Sequence, residues 1–491
     1  MRWKARELGC VALAAAGAVA WAAMASAALV EREWRATWIS VGAALACAAV
    51  ATGLVVARRR GALDGAVPRR VLRAALASAV ALALALVLPS DRSFPDKRVG
   101  AATPTTEYDA STQPGNDVLG KVERTRGGGS EDELTFTVYD VCSGKVAHRA
   151  ARDGAPAPVA VEVTEPAVLA AQIKDEARAL GAQVTGITAL HPQFVFRKDN
   201  DGRPVELRHR FAIVIGTGLD YRLASPSAPL PWRDYYSAIP EEVAAVLSGR
   251  SDDPAVPIPA EVIQEYRDTL EFYAEGGRIA VHLAKAIRSL GYPARAHFGR
   301  WSEVQVVPLA IEAGLGEVGK NGMLINDRFG PRGSFAVVTT DIPLAVDRQR
   351  DLGVQEFCRV CNKCADACPV NAVPRGDAGA PAGGVSRWQV DGPKCWTYLK
   401  LNPKCMACTG ACPFNKKDLL AHRWAQALIA RKSVVANHLL VWLDDLLGYG
   451  RAALRLRDEA RRALGEPAAA PPQAPDRPQA GGGASAPEAR S

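Results

Sequence analysis

Eight cysteines stand in two runs, each closed by a proline. Cys358, Cys361, Cys364 and Cys368 precede Pro369 as C-x2-C-x2-C-x3-C-P, and Cys395, Cys405, Cys408 and Cys412 precede Pro413 as C-x9-C-x2-C-x3-C-P. The first spacing is the bacterial one for thiolates that hold [4Fe–4S] clusters, and the second is the same device with its leading cysteine set back. Eight thiolates suffice for two cubanes, so the pattern predicts a compact ferredoxin-like module that moves single electrons. Structural zinc favours paired C-x2-C knuckles, and disulfide frameworks belong to small secreted domains rather than to a chain of 491 residues. Cys10, Cys47 and Cys142 are bystanders; the first two lie in apolar runs, where cysteine behaves as a small hydrophobe.

The ligands are expected to cross over, because in two-cluster modules the fourth cysteine of each run binds the other cluster. Cys358, Cys361, Cys364 and Cys412 then form one set of metal ligands. Cys368, Cys395, Cys405 and Cys408 form the other.

Three apolar segments come first. Leu8–Val30 and Trp38–Ala57 carry no charge over lengths that reach across a hydrocarbon core, and Ala74–Pro89 is extended by Val71 and Leu72 with Arg73 able to snorkel. A cleaved signal peptide does not explain three such segments. Arg2, Lys4 and Arg6 precede the first, and Arg58, Arg59, Arg60, Arg69, Arg70 and Arg73 fill the second loop. In the first loop Arg32 and Arg35 are balanced by Glu31 and Glu33. The positive-inside rule puts the N-terminus and second loop in the cytoplasm and everything after Pro89 on the outer face of a multi-pass cell-membrane protein. Arg69-Arg70-Val71-Leu72 reads as an internal twin-arginine export signal or as a plain basic loop, so a cytoplasmic placement stays open. Much of the net charge of +8 comes from these arginines, and no nucleic-acid motif accompanies them.

The chain therefore divides into a three-helix membrane anchor (1–89), a linker rich in Pro, Gly and Thr (90–131), a middle domain (132–350), the two-cluster module (351–420), a C-terminal helical segment (421–465) and a disordered tail (466–491). In the middle domain Glu165–Leu180 reads as a helix, with Pro166 opening it and Gly181 closing it. Val184–Leu190, Phe211–Ile215 and Ser334–Thr340 read as strands. Glu261–Leu290 is a long helical stretch with a possible break at Gly276-Gly277. The fold class is α/β or α+β, followed by the ferredoxin-like module.

Several segments match one family in order and spacing. They are Ala179-Leu180-Gly181-Ala182 leading into Val184-Thr185-Gly186-Ile187, Ala212-Ile213-Val214-Ile215-Gly216, and Ile287-Arg288-Ser289-Leu290-Gly291-Tyr292. Glu312-Ala313-Gly314-Leu315-Gly316-Glu317-Val318-Gly319-Lys320-Asn321-Gly322 follows, then Phe329-Gly330-Pro331-Arg332 and Thr340-Asp341-Ile342-Pro343-Leu344, before Phe357 opens the cysteine run. Over roughly residues 160–450 the chain resembles the catalytic subunit of corrinoid-dependent reductive dehalogenases. The resemblance implies a nitroreductase-like α/β domain holding a cobalamin-type corrinoid base-off, two [4Fe–4S] clusters arranged to reduce it, and a small organohalide as substrate. No D-x-H-x-x-G signature is present, in keeping with base-off binding. The resemblance also implies a tyrosine as proton donor with a basic neighbour. The tyrosine carries over to Tyr273, fourteen residues before Ile287, with Tyr266 and Tyr221 as rivals, and the basic neighbour to Lys320. Gly314, Gly316 and Gly319 either let backbone approach the corrinoid or serve as tight-turn glycines. The family's substrate-facing asparagine after L-G-Y is missing: either His297 takes that place or the loop differs.

Three functions compete. The leading one is a membrane-anchored reductive dehalogenase supplied by a quinol-linked or other redox donor. An epoxyqueuosine reductase-like enzyme shares the G-K-N turn, but it typically reads G-W-I-G-K-N-T where this chain has Glu317-Val318 and Gly322. The third is an electron-transfer iron–sulfur protein without a corrinoid.

Overall fold

The computed structural model describes residues 5–63, 66–91, 150–199, 203–224, 260–378, 388–401 and 405–463. The expected linker, the tail and Cys142 lie outside these residues. Three helices open the chain, α1 (Ala5–Glu31), α2 (Trp34–Arg59) and α3 (Ala66–Val87), each long and apolar enough to cross a membrane. Arg69 and Arg70 fall inside the first turns of α3 rather than in a loop before it. At one end of the bundle Glu7 of α1 pairs with Arg58 of α2 at 3.2 Å, both side chains buried.

The middle domain is built on a four-stranded sheet of β1 (Val184–Ala189), β2 (Phe211–Gly218), β3 (Ala294–His297) and β6 (Gly333–Thr340), in the order β1-β2-β6-β3. Every ladder is antiparallel, which selects α+β from the two classes that the sequence allows. The strands are apolar on both faces because both faces are covered. Ile187, Ile213, Ile215 and Val338 pack under α4 (Pro166–Ala179) and α5 (Ala260–Ser289), while Ala212, Val214 and Val337 pack against α6 (Val306–Glu312). The break expected at Gly276-Gly277 does not occur. A Cβ on Gly277 would stand 2.9 Å from the Phe298 ring, so this glycine lets an unbroken helix pack closely, while one on Gly276 would make an ordinary contact with the Ala336 Cβ at 3.5 Å.

His297 ends β3 at 0 % exposure. Its Nδ1 accepts from the Glu303 amide at 3.2 Å, which leaves Nε2 to donate to Thr339 Oγ1 at 2.9 Å. The same hydroxyl meets His209 Nδ1 at 2.8 Å, and Glu303 is held between Arg152 and Arg295 at 2.8 Å each. With both ring nitrogens occupied by protein, His297 has none to offer a substrate or cofactor.

The C-terminal region holds short helices α7 (Val354–Val360), α8 (Lys363–Ala367), α9 (Gly392–Leu401) and α10 (Ala407–Gly410), which carry the cysteines. Then come α11 (Leu420–Ile429), α12 (Val434–Leu447) and α13 (Arg451–Ala463). It docks directly on the anchor. Glu31, whose side chain is 0 % exposed, accepts from the Lys417 amide at 2.7 Å, His422 Nε2 at 3.0 Å and the Tyr449 hydroxyl at 2.9 Å. Asp91, just past α3, pairs with Arg359 at 3.2 Å.

Two outcomes follow from these buried groups. Glu31→Ala strands the His422 and Tyr449 donors, each at about 1–3 kcal/mol, and is expected to lower the thermal midpoint of the detergent-solubilised chain and to speed proteolysis between anchor and domain. Burial first, then the Arg152 and Arg295 charges, holds the His297 ring well below its ordinary value. Below about pH 6.5 the unfolded chain therefore binds a proton that the folded one does not, and stability falls by up to about 1.4 kcal/mol per pH unit. Thermal midpoints measured from pH 7 down to about pH 5 should fall less steeply in His297→Gln than in the parent.

Candidate functional site

The two cysteine runs fold into two sets of thiols, and the sets do not follow the runs. Cys364 lies in the electrostatic reach of Cys361, Cys358 and Cys412, and Cys412 in that of Cys358 and Cys361. Cys408 neighbours Cys405, Cys368 and Cys395, and Cys405 neighbours Cys368 and Cys395. Cys364 also reaches Cys408, so the sets adjoin. Burial and the neighbouring sulfurs push Cys361 up to about 12 and Cys405 up to about 11. Such crowding is unfavourable for free thiolates and is relieved when a cation binds and displaces the protons. The donor set thus fits iron–sulfur clusters. Cys358, Cys361, Cys364, Cys368 and Cys412 are buried, Cys405 and Cys408 half-buried, and Cys395 exposed. The Ala372 amide donates to Cys368 Sγ at 3.2 Å, a contact of the kind that tunes cluster potential.

A pair of lysines braces the runs. Lys363, between Cys361 and Cys364, binds the buried Asp444 carboxylate, Asp445 at 2.8 Å and the Tyr449 carbonyl at 2.9 Å. Lys416, four residues past Cys412, reaches the other Asp444 oxygen at 3.1 Å and sits 3.3 Å above the Tyr449 ring. The sequence reading missed this network. Its signal was there, since Asp444-Asp445 is the one acidic pair in an otherwise apolar helix.

Lys320 stands at the tip of a hairpin between β4 (Glu317–Val318) and β5 (Leu324–Ile325), closed by the Gly322 amide on the Gly319 carbonyl at 3.0 Å. It is fully buried, donates to Asn362 Oδ1 at 2.6 Å and lies 5.4 Å from the Trp388 ring. Burial holds its ammonium below the ordinary lysine value, while the Cys358, Cys364 and Cys361 sulfurs oppose that shift. At the hairpin's base Glu317 accepts from the Leu352 and Gly353 amides, which fixes the start of α7 and hence Cys358. The expected basic residue is thus brought to the first thiol set. Tyr273 lies in α5, with its side chain outside the described part of the structure.

Gly314 has φ +73°, and a Cβ there would meet the Arg348 carbonyl at 2.4 Å; at Gly316 it would meet the Ile325 carbonyl at 2.4 Å. At Gly319 the nearest atoms belong to Ile325 and Asn321, at 3.0–3.2 Å. Protein already occupies the space that these glycines leave. Beside Lys320, the Asn321 Nδ2 is buried without a partner, while its Oδ1 accepts from the Met323 amide at 3.2 Å. An orphaned amide donor at this turn suits a ligand rich in hydrogen-bond acceptors, as the amide-fringed corrinoids are.

A family model for the 4Fe-4S dicluster domain matches residues 357–416. A tetrachloroethene reductive dehalogenase of Desulfitobacterium hafniense is 38% identical over 188 residues, 36% of this chain and 33% of that protein. One from Sulfurospirillum multivorans is 27% identical over 308 residues, 59% of this chain and 58% of that protein. The chain therefore spans between a third and three fifths of the length of these relatives. Among solved structures, a reductive dehalogenase described for B12-dependent dehalogenation superposes with a TM-score of 0.52 at 27% identity, covering 70% of this chain and 45% of that one. Over these stretches of sequence, and in fold, the chain is similar to the reductive dehalogenases.

Proposed function

We propose that this chain is a membrane-anchored reductive dehalogenase that carries out R–X + 2 e⁻ + H⁺ → R–H + X⁻ on a small organohalide. The observation that carries the proposal is the junction of Lys320 with the first thiol set, where a buried cation and an orphaned Asn321 amide adjoin the cysteines. Cys358, Cys361, Cys364 and Cys412 hold one [4Fe–4S] cluster, and Cys368, Cys395, Cys405 and Cys408 the other. A cobalamin-type corrinoid, bound base-off in a nitroreductase-like domain, supplies the low-potential metal for breaking the carbon–halogen bond. Asn321 would donate to its periphery.

The chain's own residues do the rest. Tyr273 gives its phenolic proton to the carbon that loses halide. Lys320 favours the phenolate left behind, because an ammonium in a dry site lowers the pKa of an acid near it. Asn362 holds that ammonium in place, and Glu317 holds the hairpin to α7. The burial of the first set keeps water from the sulfurs, which favours low potential. The relatives named for tetrachloroethene support a small chlorinated substrate class. The membrane helices hold the enzyme at a surface from which a quinol-linked donor can supply electrons, on the outer face if the positive-inside rule holds.

Two measurements test this reading. The full chain, purified in detergent and reconstituted without oxygen, should hold about one cobalt per eight irons and release halide from chlorinated ethenes with a reduced dye as donor. Tyr273→Phe should keep both metals and lose at least about a hundredfold in turnover, the lower end of general-acid contributions. Iron without cobalt would leave an electron-transfer protein. Cobalt and iron without halide release would point to a non-halogenated substrate, as in the epoxyqueuosine reductases. For the crossed ligand sets, Cys412→Ser and Cys358→Ser should leave the same residual cluster spectrum, distinct from that of Cys405→Ser. A spectrum shared by Cys412→Ser and Cys405→Ser would overturn the crossing.

A further inference from the structure

Helix α12 is tied at both ends to one end of the membrane bundle. At its start the Ser433 hydroxyl caps the helix through the Ala436 amide at 3.2 Å and also bonds the Ala85 carbonyl, in the last turn of α3. The Val434 amide donates to Ser90 Oγ at 3.0 Å, and the Ser90 and Asp91 amides donate to the Lys432 carbonyl. At the other end Arg35, the second residue of α2, donates to the Leu446 carbonyl at 3.1 Å, and Leu447 packs with Ala28 and Ala36. A helix of 14 residues is about 21 Å long. With one end on the exit of α3 and the other on the turn between α1 and α2, it runs across the bundle's end rather than along it.

The two faces of α12 differ. Leu440 and Val441 pack beside Cys358 and Cys361, and Asp444 takes the lysines that brace the cysteine runs. Val435 and Trp442, two turns apart on the other side, are 45% and 57% exposed. Helix α11, which packs on α1 and sets His422 against Glu31, likewise exposes Leu420 and Trp424 one turn apart. At the same bundle end α2 exposes Trp34 and Trp38. Apolar side chains left bare in water are costly, and tryptophan concentrates where hydrocarbon meets the headgroups.

We propose that α11 and α12 are in-plane helices that rest on the bilayer, with Leu420, Trp424, Val435 and Trp442 entering the leaflet in which Trp34 and Trp38 begin the second span. The partner is the lipid surface itself, because α12 is hydrogen-bonded to the start of α2 and the end of α3, where the spans meet the headgroups. This rests on reading α1, α2 and α3 as membrane spans and adds that the cluster-bearing domain is seated in the interface rather than held above it on a tether. The helix that meets lipid is then the helix that backs the first thiol set.

The test uses the full chain, labelled with fluorotryptophan, in lipid nanodiscs. Trp424→Phe, Trp442→Phe and Trp21→Phe assign the fluorine resonances of these residues, Trp21 lying within α1. The Trp424 and Trp442 lines should broaden with lipids that carry a nitroxide near the headgroup and be spared by a water-soluble gadolinium chelate. If the chelate broadens both while lipid nitroxides do not, and Trp21 stays shielded from the chelate, the in-plane seating is wrong and the anchor stands. If Trp21 is also open to the chelate, the spans and the seating fall together.

Discussion

The carboxylate of Asp444 is the contact on which the cluster region depends. It is buried, and it neutralises two lysines from different parts of the chain: Lys363 inside the first cysteine run and Lys416 just past the second. Attraction to both ammonium groups, against the cost of burial, holds its pKa below the usual carboxylate range. Removing it would leave Lys363 with Asp445 and take this carboxylate from Lys416, in the neighbourhood of Cys361 and Cys412. The same lysines touch Tyr449, whose hydroxyl bonds Glu31 at the end of α1. One buried acid thereby links both cysteine runs, the C-terminal helices and the anchor. Buried ion pairs of this kind contribute little net stability over an apolar core, but they specify one arrangement because breaking them is expensive.

That specification matters because cluster ligands must be placed before metal arrives. The short helices α7, α8 and α10 have too few residues to be stable alone. Their positions come from outside: Glu317 at the start of α7, Asp444 on Lys363 in α8, and Arg457 of α13 donating to the Asp366 carbonyl at 2.6 Å. The hairpin that supplies Glu317 also carries Lys320. The thiols and the buried cation beside them are therefore positioned by one piece of chain, and a shift in the first set would be felt at Lys320.

Much of this was legible in the sequence. The cysteine spacing, the apolar spans, the capped helix α4 and the strands β1, β2 and β6 are local patterns, and local patterns survive without knowledge of the fold. What escaped was decided at long range. The resemblance picks out Lys320, but its burial depends on Asn362, forty-two residues on. Of the two readings, His297 facing substrate or a differing loop, the pairing of β3 with β6 favours the second by setting His297 against Thr339, where both nitrogens are taken. Gly276-Gly277 reads as a helix breaker, yet the neighbouring Phe298 ring makes a glycine at 277 a packing requirement. Glu31 reads as half of a balanced loop charge, while its partners lie more than 380 residues away.

Those distant partners also make anchor and domain one body. Charge-assisted hydrogen bonds contribute about 1.5–3 kcal/mol each, and the junction includes two independent ones, Glu31 with His422 and Arg359 with Asp91. Even half of their sum, about 1.5–3 kcal/mol, would hold the undocked fraction below about a tenth at about 1.4 kcal/mol per decade. Undocking would also bare Leu447 of α12 and Ala28 and Ala36 of the bundle, which pack together and are all at most 3 % exposed. The apolar and polar terms therefore act in the same direction. Docking at this end of the bundle follows from the residues that form that end.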